Sequence, residues 1–144
     1  MASTTVVTHE RRGTWARHLR PRLAAQGAGS VRWVESRSGD DLERAVRGAA
    51  APVVVIDVAD RPRAMLEDLD RAARTAPSGL YLVLDPRGHP GVPALAFELG
   101  ATLVIAGIIP PPRVAELLLR WLPLGRRRAE ADGWALPDEP EPGP

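Results

Sequence analysis

The segment Pro52-Val53-Val54-Val55-Ile56-Asp57-Val58-Ala59-Asp60 is an unbroken run of strand-forming residues that ends on a carboxylate. β-branched side chains without polar alternation are typical of a strand that is covered on both faces, as in a parallel sheet. Open α/β sheets bind ligands at the carboxyl ends of their strands. The segment therefore predicts the central strand of a parallel sheet, and it places Asp57 at the centre of any site.

Composition predicts one soluble domain. The chain has 144 residues, of which 44% are hydrophobic and 26% charged, and this is enough to bury a core. No apolar run reaches the ~18 residues of a membrane span, and the amino terminus lacks the regions of a signal peptide, so we expect a cytoplasmic protein. Cysteine is absent and all 19 basic residues are arginine. Thiolate chemistry, a lysine Schiff base and a Walker-type lysine are thereby excluded.

Strand and helix patterns alternate along the rest of the chain. Apolar runs predict four further strands, and amphipathic stripes predict a helix after each of the five strands. The predicted strands outside the central one are residues 4–8, 31–35, 80–84 and 101–106. Strict alternation requires right-handed crossovers. We therefore predict a flavodoxin-like (βα)5 fold, a doubly wound parallel sheet of strand order 2-1-3-4-5 in a three-layer αβα sandwich.

The pattern breaks after Pro123. Residues 124–144 begin with an arginine cluster and end in an acidic, proline-rich segment without a core face, so we predict a domain over 1–123 and a disordered tail over 124–144. Trp134 and Leu136 are candidate partner-binding residues, because aromatic anchors in flexible acidic segments often order on binding. If the tail is a docking peptide, its removal should leave thermal stability nearly unchanged. The alternative is that Trp134 packs back onto the last helix.

Over residues 4–122 the chain resembles the receiver domain of bacterial response regulators. The resemblance rests on the strand that ends at Asp57 and on the run Ala96-Phe97-Glu98-Leu99-Gly100-Ala101, a helix-Gly-Ala-strand join. It implies that Asp57 occupies the position of the phospho-accepting aspartate. The resemblance also implies a crevice around Asp57, formed by Thr8, His9, Glu10, Asp85 and Gly107.

The crevice residues depart from the receiver pattern. Thr8 and His9 stand where receivers carry two acids that hold Mg²⁺, and Glu10 is the acid that follows them. Glu10 and Asp57 alone supply few of the oxygen ligands that a hard cation needs, so we expect no Mg²⁺ and no other cofactor. Asp85 replaces a hydroxyl residue and would repel a phosphoaspartate, and Gly107 replaces the lysine. The departures predict a pseudo-receiver that is not an enzyme.

Three functions follow from these residues. The first is a signalling or scaffolding module that acts through contacts with another protein. The second is a domain that binds a small ligand or nucleotide through Thr8, His9, Asp57 and Gly107. The third is an atypical phospho-acceptor that uses Glu10, Asp57 and Asp85 around Mg²⁺. Against all three stands a structural interpretation, in which Asp57 and Asp85 cap turns and His9 is a hydrogen-bonded loop residue.

Arginine is unevenly distributed. Residues 1–50 hold nine arginines against five acids, whereas residues 51–144 hold ten against thirteen. This excess predicts a basic surface near the amino terminus. A formal net charge of +1 is nevertheless small for a nucleic-acid binder, so a protein is the expected partner.

Overall fold

The computed structural model describes residues 3–26 and 30–135. One five-stranded parallel sheet has the order β2-β1-β3-β4-β5. Its strands are β1 (Thr4–His9), β2 (Val31–Ser36), β3 (Val53–Asp57), β4 (Leu80–Asp85) and β5 (Leu103–Ala106). The helices are α1 (Thr14–Ala25), α2 (Gly39–Arg47), α3 (Pro62–Thr75), α4 (Val92–Glu98) and α5 (Pro111–Ala135). The predicted flavodoxin-like fold is confirmed.

The sheet has a separate apolar core on each face. On one face β-strand side chains pack against α1 and α5, and on the other they pack against α2, α3 and α4. Val53 and Val55 belong to the first core, and Val54 and Ile56 to the second. Because successive side chains of a strand point to opposite faces, a run without polar alternation fills both cores. This explains why β3 reads as apolar throughout.

Two helix starts follow from local chemistry. Ser38 caps α2, and its hydroxyl accepts the backbone N–H of Asp41 at 3.2 Å. Pro62 is the first residue of α3. A backbone N–H at this position has no partner within the helix, so the N–H that proline lacks costs no hydrogen bond. Both starts lie at the carboxyl edge of the sheet, the edge that holds Asp57.

The last helix extends beyond the predicted domain boundary. It runs through Pro123 to residue 135, so the prediction of a disordered tail is wrong for residues 124–135. The extension packs on the opposite, amino-terminal edge of the sheet: a Cβ at Gly125 would lie 3.3 Å from the carbonyl oxygen of Ala51. Arg128 donates to the carbonyl of Gly79 at 3.4 Å. Residues 124–135 therefore contact the rest of the domain, although their sequence has no apolar periodicity that predicts such packing.

The two tail candidates have different outcomes. The backbone of Trp134 is part of α5, whereas Leu136 and the acidic segment lie outside the described residues. Docking by these residues stays a prediction. Within residues 3–26 and 30–135, no helix combines the length and the apolar character that crossing a membrane requires.

We now expect that deletion of residues 125–144 lowers the melting temperature by several degrees. The reason is the loss of the Gly125 and Arg128 contacts, which should cost about 1–3 kcal/mol of unfolding free energy. Thermal unfolding followed by circular dichroism measures it, with the exposed Arg127→Ala as the control variant. An unchanged melting temperature in the truncated protein would show that the extension adds nothing to stability.

Candidate functional site

Asp57 ends β3 at the carboxyl edge of the sheet, and both of its carboxylate oxygens are hydrogen-bonded. Oδ2 accepts the indole N–H of Trp15 at 2.7 Å, and Oδ1 accepts the backbone N–H of Ala59 at 2.8 Å. The Ala59 bond spans two residues and closes an Asx turn, so the turn-capping interpretation of Asp57 is confirmed. The Trp15 bond was not predicted. It fixes the carboxylate against α1.

Glu10 is committed to the start of α1. Its two oxygens accept the backbone N–H groups of Trp15 at 2.9 Å and of Ala16 at 3.0 Å, and only 5% of the residue is exposed. The first N–H groups of a helix lack internal partners and carry a partial positive charge, which a carboxylate stabilises. Glu10 therefore acts as a helix cap, and its oxygens are occupied.

His9 does not face the Asp57 crevice, which corrects the prediction. It is fully buried in β1, where Nε2 lies 2.8 Å from Asp68 Oδ2 on α3 and Nδ1 lies 3.0 Å from Ser36 Oγ at the end of β2. It is hydrogen-bonded as the structural interpretation predicts, but in a strand and not in a loop. The reason is strand periodicity, because Glu10 and His9 point to opposite faces of the sheet.

The row Ser36, His9 and Asp68 contains the residue types of a hydrolytic triad. Ser36 is 1% exposed and His9 is 0% exposed, so no substrate carbonyl reaches the hydroxyl. The hydroxyl also lies 3.2 Å from the carbonyl oxygen of Ser38. The row thus joins two strands and a helix through buried hydrogen bonds.

Asp85 is also separated from Asp57. Its side chain has no exposed surface. Its Oδ2 accepts the backbone N–H of His89 at 2.6 Å, and its Oδ1 lies 2.7 Å from Nδ1 of the same residue. Val83, two positions earlier and therefore on the same face of β4, belongs to the core under α3 and α4. Asp57 instead contacts Trp15 on the face that α1 covers. Asp85 therefore stabilises the loop before α4, as the turn interpretation predicts, and does not crowd Asp57.

Thr8 and Gly107 complete the predicted set. Thr8 is 1% exposed, and within the described part of the chain its Oγ1 is the one buried side-chain polar atom without a partner. Gly107 has a φ of 97° and donates its N–H to the carbonyl of Asp85 at 2.8 Å. A residue with a side chain would be strained at this φ, so the loop itself disfavours a lysine here.

The crevice at Asp57 differs in its lining from the predicted one. It has a volume of about 270 Å³, and of the predicted residues only Glu10 and Asp57 line it. The other lining includes Trp15 and three arginines that were not predicted, Arg11, Arg12 and Arg61. A buried indole needs an acceptor for its N–H, and this was the one signal in the sequence that pointed to Trp15.

A divalent cation does not fit this set of donors. Among the described residues, no group of three or more histidine, aspartate or glutamate side chains is placed to hold a metal ion. The four oxygens of Glu10 and Asp57 already accept N–H groups. Mg²⁺ needs near-octahedral oxygen coordination, and two carboxylates whose oxygens each already accept an N–H group supply only a small part of it.

Comparison with solved structures identifies the architecture. The chain is similar to a receiver domain protein from Methanospirillum hungatei, with 11% identity, a TM-score of 0.71 and coverage of 88% of this chain and 98% of that one. For a response regulator from Thermotoga maritima the identity is 15%, the TM-score 0.67 and the coverage 85% and 99%.

A third similar structure is a response regulator from Burkholderia pseudomallei with a phosphorylated aspartic acid, a calcium ion and citrate. It shares 16% identity with a TM-score of 0.65, over 96% of this chain and 76% of that one. No protein-family model matches the sequence, and comparison with curated proteins gives no match. These likenesses are structural, and from them the chain has the fold of response-regulator receiver domains.

Proposed function

We propose that this chain is a pseudo-receiver, a signalling or scaffolding module that acts through contacts with another protein and takes up no phosphate at Asp57. The observation that carries the proposal is the hydrogen bonding of Asp57. Its Oδ2 accepts the Trp15 indole N–H at 2.7 Å and its Oδ1 accepts the Ala59 backbone N–H at 2.8 Å, so both oxygens are already hydrogen-bonded. Attack by this carboxylate would break a charge-assisted hydrogen bond.

The surroundings of Asp57 also lack the charges that phosphoryl transfer requires. The transferred group develops negative charge that metal ions and a cation must neutralise. Glu10 caps α1, the chain contains no lysine, and Gly107 adopts a conformation that disfavours one. The exposed Arg11, Arg12 and Arg61 do not replace an Mg²⁺ ion that bridges the carboxylate and the phosphoryl group.

Exposed apolar side chains support a role in protein contacts. Leu95 and Phe97 on α4 are 44% and 50% exposed, and Ile108 after β5 is 92% exposed. A groove of about 670 Å³ separates α3 from α4, with Leu66 and Leu95 in its lining. An apolar groove bordered by an exposed leucine is typical of sites where another macromolecule binds.

Phosphorylation tests the proposal directly. We expect no mass gain of one phosphoryl group when the protein is incubated with acetyl phosphate and Mg²⁺, because the crevice lacks the ligands that would hold a metal ion between Asp57 and the phosphoryl group. Intact-protein mass spectrometry measures it. Trp15→Phe removes the indole donor and should remain unphosphorylated, since the metal site is still incomplete.

The control is Asp57→Asn, which lacks the acceptor. A labile phosphate that appears in the unmodified chain and disappears in Asp57→Asn would overturn the proposal. If Trp15→Phe becomes phosphorylated and the unmodified chain does not, the indole alone prevents phosphorylation of Asp57. The claim that the missing charges prevent transfer is then wrong.

A further inference from the structure

The arginines of α1 lack the carboxylate partners that the arginines of α2 and α3 have. On α2 and α3, five arginines each lie within 3.5 Å of an aspartate or glutamate oxygen. One of these contacts is the hydrogen bond from Arg71 to Asp40 at 2.9 Å, which lowers the pKa of Asp40. In contrast, α1 contains no acid, and its exposed Arg17 and Arg20 have no ion-pair partner among the described residues.

The same arginines line a groove between α1 and the end of β2. The groove has a volume of about 490 Å³ and is lined by four arginines, Arg12, Arg17, Arg20 and Arg37, and by a single acid, Glu35. Glu35 pairs with Arg37 at 3.2 Å, so the other three guanidinium groups stay uncompensated. We call these three, Arg12, Arg17 and Arg20, the α1 arginine face.

Small residues along the groove let another chain approach closely. Ala16, Pro21 and Ala24 lie between the arginines on α1, and Gly13 precedes the helix with a φ of 73°. A Cβ at Gly13 would come within 2.6 Å of an Arg37 guanidinium nitrogen, so glycine at this position lets that side chain lie over the start of the helix. The positive charges therefore border a shallow surface without bulky side chains.

We propose that the α1 arginine face binds an acidic peptide segment of a partner protein. Guanidinium groups donate paired hydrogen bonds to carboxylates, and the Glu35–Arg37 pair shows that the groove accommodates a carboxylate. α1 has 12 residues and is about 18 Å long, which matches five or six residues of extended peptide. The inference rests on the proposed function, because it names the surface and the partner chemistry of that protein contact.

The small net charge of the chain favours a peptide over a nucleic acid. The formal net charge of the whole chain is only +1, so the α1 arginine face is a local cluster of positive charge that is about 18 Å long. A nucleic-acid backbone is bound through many phosphate contacts, whereas a short acidic segment needs only the few guanidinium groups of this groove. The groove also lacks an aromatic side chain in its lining on which a base could stack.

Fluorescence anisotropy with a labelled peptide of alternating glutamate and alanine tests the proposal. We expect binding at low salt that weakens as salt rises, and no binding of the matched glutamine–alanine peptide. The double variant Arg17→Ala/Arg20→Ala should lose at least about tenfold in affinity, because two charged donors disappear. Arg12→Gln, outside the helix, should weaken binding as well and provides a second variant that leaves α1 intact.

The matched control is Arg44→Ala/Arg47→Ala, which removes the same charge from α2, where both arginines have carboxylate partners. It should change the affinity by less than about twofold. Equal losses in both double variants, equal binding of the glutamine peptide, or no binding at low salt would overturn the proposal. The proposal would also be overturned if single-stranded DNA or phosphatidylserine vesicles bound more tightly than the glutamate–alanine peptide and if Arg17→Ala/Arg20→Ala abolished that binding.

The two proposals fail separately. If the peptide does not bind and Asp57 still takes up no phosphate, the pseudo-receiver proposal stands and the α1 arginine face is not its docking surface. If Asp57 is phosphorylated, the proposed function is wrong whatever the peptide does.

Discussion

His9→Ala is expected to lower the free energy of unfolding by about 2–4 kcal/mol. The imidazole is fully buried, and its two nitrogens lie 2.8 Å from Asp68 Oδ2 and 3.0 Å from Ser36 Oγ. Alanine would leave a cavity and remove the imidazole from both groups, and the Ser36 hydroxyl would keep only its bond to the Ser38 carbonyl. Asp68 keeps 19% of its side chain exposed, and water reaching it limits the loss. Urea unfolding followed by circular dichroism measures the change.

His18→Ala is the matched control for this variant. His18 lies on the exposed side of α1, and its side chain has no hydrogen bond among the described contacts. Its replacement should alter stability by less than about 0.5 kcal/mol. A loss below about 1 kcal/mol for His9→Ala would mean that the buried row contributes little and that the packing around it relaxes.

The fold could be predicted because strands that are buried on both faces have continuous apolar sequences. β3 and β4 lie between other strands and are covered by helices on both sides, so Val53–Ile56 and Leu80–Leu84 are continuous apolar runs. Alternation of such runs with amphipathic helices permits few topologies. The strand order 2-1-3-4-5 followed from this without any knowledge of the site.

The site could not be predicted to the same degree, because a one-residue step along a strand changes the face. His9 and Glu10 are neighbours in sequence, yet one is held between β2 and α3 and the other caps α1. Asp57 and Asp85 end adjacent strands, but their carboxylates bind to different elements. The resemblance to receiver domains placed all four in one crevice, and only two of them line it.

The extent of α5 was missed for a related reason. Pro123 removes an amide hydrogen and would end an isolated helix, and residues 126–128 read as a charged linker. In the fold, the following turn gains partners at the amino-terminal edge of the sheet, where Gly125 approaches Ala51 and Arg126 lies 3.4 Å from Thr4 Oγ1. Tertiary contacts of this kind override local propensity and leave no periodic signal.

Ile56→Ala is expected to cost about 2–5 kcal/mol of unfolding free energy. Ile56 has no exposed surface and is in register with His9 on β1 and Val83 on β4, so no edge of the sheet lets the cavity fill with water. Ile108→Ala makes the same chemical change at a residue that is 92% exposed, and it should leave stability within about 0.5 kcal/mol of the unmodified protein. Urea titration of both variants measures the difference. The slope of the free energy with urea should be equal for the two, since neither changes the surface exposed on unfolding by much. A cost below about 1 kcal/mol for Ile56→Ala would mean that β3 is not the packed centre of the sheet, and the position of Asp57 at its end would then lose its structural basis.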